Sequence, residues 1–180
     1  MEFYLMEAAT IVLGAEVDAP SANKFHTLEN VKLPKLEEKM QEHHGAGSPV
    51  AVNIPVGINA FTGEFKLTGT DPQAHDMFAI NNPYRQNFTI FGALRDHISG
   101  IEQQLKAVMN ARLSKIETDG FKKGDLHMTD YAIDNVMMYR LYIATDEKIF
   151  FSYANNTLRV NGEDRYRNIN RMLRIPSQQN

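Results

Sequence analysis

Apolar and polar residues alternate most regularly between Val31 and Gly69. Val50, Val52, Ile54, Val56 and Ile58 recur at every second position, separated by Ala51, Asn53, Pro55 and Gly57. That is the period of a strand burying one face. Phe61, Gly63, Phe65 and Leu67 repeat the pattern against Thr62, Glu64, Lys66 and Thr68. Gly57 to Asn59 supply a turn between the two runs. The runs are therefore expected to form an antiparallel pair that sets Val52, Ile54, Val56, Phe61, Phe65 and Leu67 on the core. Ahead of them, Leu36 and Met40 stand among Glu37, Glu38, Lys39, Gln41 and Glu42. One exposed helical turn fits that spacing as well as a strand does, and periodicity leaves both open.

The rest of the chain divides by the same signals. Residues 8–13 form a short strand ended by Gly14, Val17 to Lys24 a loop, and Phe25 to Leu33 an extended run, because Pro34 biases Leu33 away from helical dihedrals. Asp71 and Pro72 mark a helix start, an acceptor followed by a residue whose missing N–H costs nothing there. Ala74, Met77, Phe78 and Asn81 share that helix's face. Gln86 to Arg95 alternates as a strand, with Gly92 a bulge or close-approach point. The segment from Ile101 to Glu117 fits two periods. Ile101, Leu105, Val108, Met109, Arg112, Leu113 and Ile116 make a helical face, which the pattern favours, while Leu105, Ala107, Met109, Ala111 and Leu113 alternate. A loop at Asp119 to Asp125 leads into a long strand from Met128 to Ala144, with Tyr139, Leu141 and Ile143 on one face and Met138, Arg140 and Tyr142 on the other. Thr145 to Lys148 turns it into a partner strand, Ile149 to Val160, broken near Asn155 and Asn156. Asn161 is expected to cap a last helix, Glu163 to Leu173, with Tyr166, Ile169, Met172 and Leu173 inward, before a frayed tail at Ser177 to Asn180.

With 180 residues, 43% of them hydrophobic, the chain is long enough for one domain with a real core and short for two. Zero cysteines rule out a disulfide framework and any thiolate metal site. A net charge of −3, from 19 basic and 22 acidic residues, argues against affinity founded on neutralising phosphates. No apolar run approaches the roughly 20 residues of a spanning helix. Glu2 and Glu7 stand where a signal peptide would carry positive charge, so neither membrane insertion nor export by that route is expected.

Candidate chemistry is sparse. His43 and His44 are adjacent, and adjacent strand residues face opposite ways, so the two rings do not share an ion. Gly45-Ala46-Gly47-Ser48-Pro49 lacks the glycine spacing and the Lys-Ser/Thr of a phosphate loop, and suits a flexible turn or an assembly loop. No nucleophile motif surrounds Ser48, Ser99, Ser114 or Ser152. Arg165, Arg167, Arg171 and Arg174 read as a solvated helix face suited to the macrodipole, and Lys106, Arg112, Lys115, Lys122 and Lys123 are interleaved with acids. No catalytic, cofactor or metal residues are assigned.

Leu33-Pro34-Lys35-Leu36, the mixed-charge run after it, Gly45-Ala46-Gly47 and then alternating strands resemble the major tail tube protein of contractile-tailed bacteriophages. Asn161-Gly162-Glu163-Asp164-Arg165, after an apolar strand, resembles that family's closing V-N-G-x-D-R element, and Val108 to Gly124 is similar to its charged central strand and loop. A longer, more polar Val17 to Thr27 departs from the family. The resemblance implies a mainly β (α+β) fold: an antiparallel β-sandwich or barrel-like tail tube domain over residues 1–180, with one short internal helix and a C-terminal helix. It favours a strand at Leu105 to Glu117.

Three function classes follow: a structural tube subunit, a small β-rich enzyme, and a monomeric binding module. The resemblance implies the first. Hexameric rings stack into a hollow tube inside a contractile sheath, in the virion tail of a phage assembled in the host cytoplasm, or in a DNA-free phage-derived particle. Partners would be further copies, sheath, baseplate and tail terminator proteins, with transient DNA passage and no specific binding. Long amphipathic strands in a short chain leave open edges, and pairing them with neighbouring copies is one solution. His43, His44, Gly45, Ala46, Gly47, Ser48 and Pro49 are the inter-ring loop candidates. Glu37, Lys39, Asn53, Thr62, Glu64 and Lys66 are the lumen candidates.

Overall fold

The computed structural model describes residues 2–14, 19–78 and 84–175. Its strands are β1 (Tyr4–Leu13), β2 (Leu28–Lys32), β3 (Glu38–His43), β4 (Val52–Ile58), β5 (Gly63–Thr68), β6 (Gln86–Asp96), β7 (Glu102–Thr118), β8 (Met128–Ile143), β9 (Asp146–Ser152), β10 (Thr157–Val160) and β11 (Glu163–Asp164). Two short helices, α1 (Pro72–Asp76) and α2 (Arg167–Met172), accompany them. The fold is mainly antiparallel β, as expected.

The main sheet runs β1-β6-β7-β8-β9-β10-β11, with β5 and β2 branching from β8. The branch arises because β8 serves two neighbours in turn: Met128 to Ile133 pair with β5, and Met138 to Ile143 pair with β9. Between these halves Asn135 takes φ 52°, a left-handed conformation that asparagine tolerates, and β7 compensates with register shifts at Asn110/Arg112 and Leu113/Lys115. Beyond β2 the sheet curls back on β1. Asn23 bridges Val12, and the Lys24 N–H donates to the Ile11 carbonyl at 2.9 Å, so the path β1, β6, β7, β8, β5, β2 forms a barrel-like wall.

Inside that wall lie Ile11, Leu13, Phe61, Phe65, Leu67, Phe88, Ile90, Met109, Tyr131, Ile133 and Tyr139, all buried. Phe65 stacks on Tyr131, ring centroids 4.7 Å apart and nearly parallel. The two periods of residues 101–117 resolve as a strand, because β6 and β8 flank the segment and complete its ladder on both edges. Leu105, Ala107, Met109, Ala111 and Leu113 are its buried row. Gly92 is indeed a close-approach point: a Cβ there would lie 3.1 Å from the Met6 side chain.

Three expectations are corrected. Val50 to Gly69 is not a pair of strands packed on one core. β4 pairs instead with β3 in a separate two-stranded sheet, while β5 pairs with β2 and β8. Phe61, Phe65 and Leu67 are buried, but Val52, Ile54 and Val56 are exposed. The turn at Gly57 to Asn59 fails because the Asn59 N–H donates to the Glu37 carbonyl at 3.0 Å, so the β4 end belongs to the β3 ladder. That ladder also settles Glu38 to Met40 as strand. The last helix is shorter than expected and Asn161 does not cap it. Asn161 and Gly162 both take positive φ in the tight turn from β10 to β11, and Tyr166 begins the helix. Its apolar residues Ile169, Met172 and Leu173 are exposed, and Asn170 holds it instead, donating to the Asn156 carbonyl at 2.8 Å.

The first helix follows its sequence signals. Asp71 accepts from the Ala74 N–H at 3.0 Å, Pro72 opens the turn, and Ala74, Met77 and Phe78 face the core. Asn81, Val17 and the tail at Ser177 to Asn180 lie outside the described residues.

Candidate assembly surfaces

The β3-β4 ribbon carries the most unusual surface. Each residue of β3 is exposed, and on β4 only Gly57 is half-buried. Val52, Ile54, Val56 and Ile58 alternate along one strand with 42 to 55% of each side chain open to solvent. An isolated two-stranded hairpin is marginal in water, and a row of β-branched residues gains stability only when covered. Register places His43 opposite Val52 and Gln41 opposite Ile54, with a shift between Lys39 and Met40.

At its tip the segment His43 to Pro49 closes on itself. The Ser48 N–H donates to the Gly45 carbonyl at 2.9 Å, the Ser48 hydroxyl to the Val50 carbonyl at 2.8 Å, and the His44 ring Nε2 lies 2.9 Å from the Ser48 carbonyl. Neither Gly45 nor Gly47 is at positive φ, so small size and lack of a side chain, not left-handed geometry, distinguish them. Gly45 is half-buried and the other residues of the segment are exposed.

The six polar residues proposed for a channel fall into two groups. Glu64 and Lys66 project from the outer face of β5, with exposed Thr62 just ahead. Here two ion pairs run across neighbouring strands, Lys32 to Glu64 at 2.7 Å and Lys66 to Asp130 at 3.2 Å, and Lys115 pairs with Glu117 along β7. The positive and negative groups balance. Glu37, Lys39 and Asn53 belong to the ribbon instead, opposite Gly57 and Glu42 in the case of Lys39 and Asn53. Hydrogen bonds from Lys35 and Asn59 hold the Glu37 carboxyl below its ordinary pKa. The two groups stand on different sheets.

Two polar knots were not legible in the pattern. Lys24, 8% exposed, donates to Gln73 and the Ser21 carbonyl and pairs with Asp71 at 2.8 Å, pinning the turn before β2 to α1. Asp96, 2% exposed, accepts from the Ser99 hydroxyl and the N–H groups of Phe3 and Ile98. These bonds lower its pKa to about 2 and fasten the start of β1 to the β6-β7 turn. Among the described residues no group of three or more His, Asp or Glu is placed to hold a metal ion, and no helix is long and apolar enough to cross a membrane.

The family model described as phage tail tube protein FII matches residues 13–173. The chain belongs to that family. It is 27% identical over 141 residues to the tail tube protein of Escherichia phage P2, covering 76% of this chain and 81% of the phage protein. Among solved structures it resembles a chain of the sheath/tube terminator of PVC, an extracellular contractile injection system. The TM-score there is 0.51 at 12% identity, over 76% of this chain and 93% of that one. A chain of the PVC sheath-tube complex gives 0.49 at 10% identity, over 76% and 87%. This tail tube protein is thus a structural subunit, with the β-rich fold of contractile-particle proteins.

Proposed function

We propose that this subunit forms hexameric rings that stack into a hollow tube, and that the β3-β4 ribbon is the contact through which one copy holds another. The observation that carries this is the open row Val52, Ile54, Val56 and Ile58 on a two-stranded sheet with no covering layer of its own among the described residues. Covering it with another copy removes apolar surface from water at about 25 cal/mol per Å². The outer edge of the first half of β1 pairs with no other strand among those described, and supplies a second place for a neighbour to join.

In this reading residues 1–180 act as one tube domain and no step is catalytic. The loop from His43 to Pro49 meets the next ring. The charge-balanced face around Glu64 and Lys66 lines the channel, because ions already paired to one another hold a passing polyanion weakly. Thr62 continues that face, and Glu37, Lys39 and Asn53 join it where the ribbon reaches the bore. Sheath, baseplate and tail terminator proteins surround and end the tube in the virion tail, assembled in the host cytoplasm, and DNA or another payload passes through. Size-exclusion chromatography with electron microscopy of the purified chain tests this. Rings or stacked tubes are expected, and a persistent monomer at high concentration would refute it.

A further inference from the structure

The sheet face turned away from the core carries a cation that assembly through the ribbon does not use. Arg140 on β8, Phe150 on β9 and Arg159 on β10 are register neighbours across three strands. Phe150 is buried beneath both arginines, whose guanidinium carbons lie 4.6 and 4.1 Å from its ring centroid. Arg159 is satisfied. Its Nε and Nη2 donate to Glu147 at 2.9 and 3.2 Å, and its other neighbour, Asp164, accepts from the Tyr166 N–H.

Arg140 has no such acceptor. It makes no ion pair or hydrogen bond among the described residues, and its Nε is buried without a partner. On the same face Lys106, one register step away beside Tyr142, sits 5.7 Å over the Phe91 ring, likewise without a carboxylate. A buried donor left unmet is costly, and the contact with the Phe150 ring holds the guanidinium in place before any ligand arrives. The planar fork matches a carboxylate in two parallel bonds.

Two features favour a protein carboxylate over a nucleic-acid strand. Phosphate chains are held by runs of cations, whereas here Glu147 already occupies one arginine. The aromatic ring is buried under the guanidiniums and offers no open face for a base. The cluster stands apart from the ribbon, and lies further along β7 and β8 than the paired ions Lys115 and Asp130.

We propose that Arg140, flanked by Lys106 and Arg159, is a docking point for an acidic segment of a protein other than this chain.

The test titrates a fluorescein-labelled hexaglutamate peptide against the purified chain, Arg140→Gln, Arg140→Lys, Lys106→Gln and the control Lys122→Gln, at low and moderate salt. Saturable, salt-sensitive binding is expected for the parent and the control. Arg140→Gln should lose about tenfold or more, Arg140→Lys most of that because an ammonium keeps the charge and not the fork, and Lys106→Gln several-fold. Should Arg140→Gln fail to fold, Arg140→Lys and Lys106→Gln carry the comparison. No saturable binding, equal binding by Arg140→Gln, or tighter binding of a DNA oligonucleotide lost in the same variants would overturn the proposal. So would loss of tubes in a folded Arg140→Gln, which would make a second copy the occupant. Tubes without peptide binding sink only this proposal; binding without tubes sinks only the tube reading.

Discussion

Lys24 Nζ stands 2.8 Å from the Asp71 carboxylate, with 9% and 15% of the two side chains exposed. The pair joins the turn before β2 to the cap of α1, and so closes the barrel-like wall between β1 and β2. Removing the ammonium leaves a nearly buried carboxylate without its counter-ion. Lys24→Met, which keeps the aliphatic stem, is expected to cost about 3 kcal/mol, read from urea unfolding.

Phe65 and Ile54 differ in kind although both sit in alternating runs. Phe65 is 2% exposed and stacked on Tyr131, whereas Ile54 is 44% exposed. Phe65→Ala should destabilise the subunit by about 3–5 kcal/mol, while Ile54→Ala should shift the monomer by less than about 0.5 kcal/mol. Thermal melts of the two variants under monomeric conditions check this.

That contrast shows how far the sequence reaches. Strands β6 and β8 and the cap at Asp71 were legible because period, turn residues and helix-start chemistry agree there. Residues 102–118 were ambiguous because their apolar spacing serves a helix and a strand alike, and only the strands on either side decide. The row from Val52 to Ile58 was read correctly as a strand face and wrongly as core, since the pattern shows that a face is apolar and not what covers it. The composition of the loop at His43 to Pro49 was plain from the residues. Arg140 was placed on the correct strand face, but that it meets Phe150 and Arg159 depends on bulges, such as the shift at Leu141/Tyr142, that no local pattern announces.

Asp96 gives a pH dependence. Its carboxyl is held at about 2 by the bonds from Ser99, Phe3 and Ile98, below its ordinary value near 4. The stability it adds is fully present above about pH 4 and is lost as pH falls through the folded value near 2. The melting temperature of the parent should fall across that window relative to Asp96→Asn, whose profile should be flatter. Calorimetry at successive pH values reads the difference, and parallel profiles would count against the Asp96 knot.

Replacing Gly45-Ala46-Gly47 by a two-residue turn tests the loop separately. All three lie at the exposed ribbon tip and none contributes to the core. Circular dichroism and melting should remain nearly unchanged, while tubes disappear from electron micrographs. Normal tubes from the shortened chain would assign the ring-to-ring joint to another surface.

In the proposed tube another copy covers the open face of β4. Ile54→Asp puts a charge at the centre of that face, where it stays hydrated in the monomer and is buried only on assembly. Sedimentation velocity on the parent and the variant at equal concentration is the direct measurement. Ring-sized or larger species are expected for the parent, and for Ile54→Asp a monomer with an unchanged melting temperature. Equal assembly by the two proteins would show that the β4 face is not the contact.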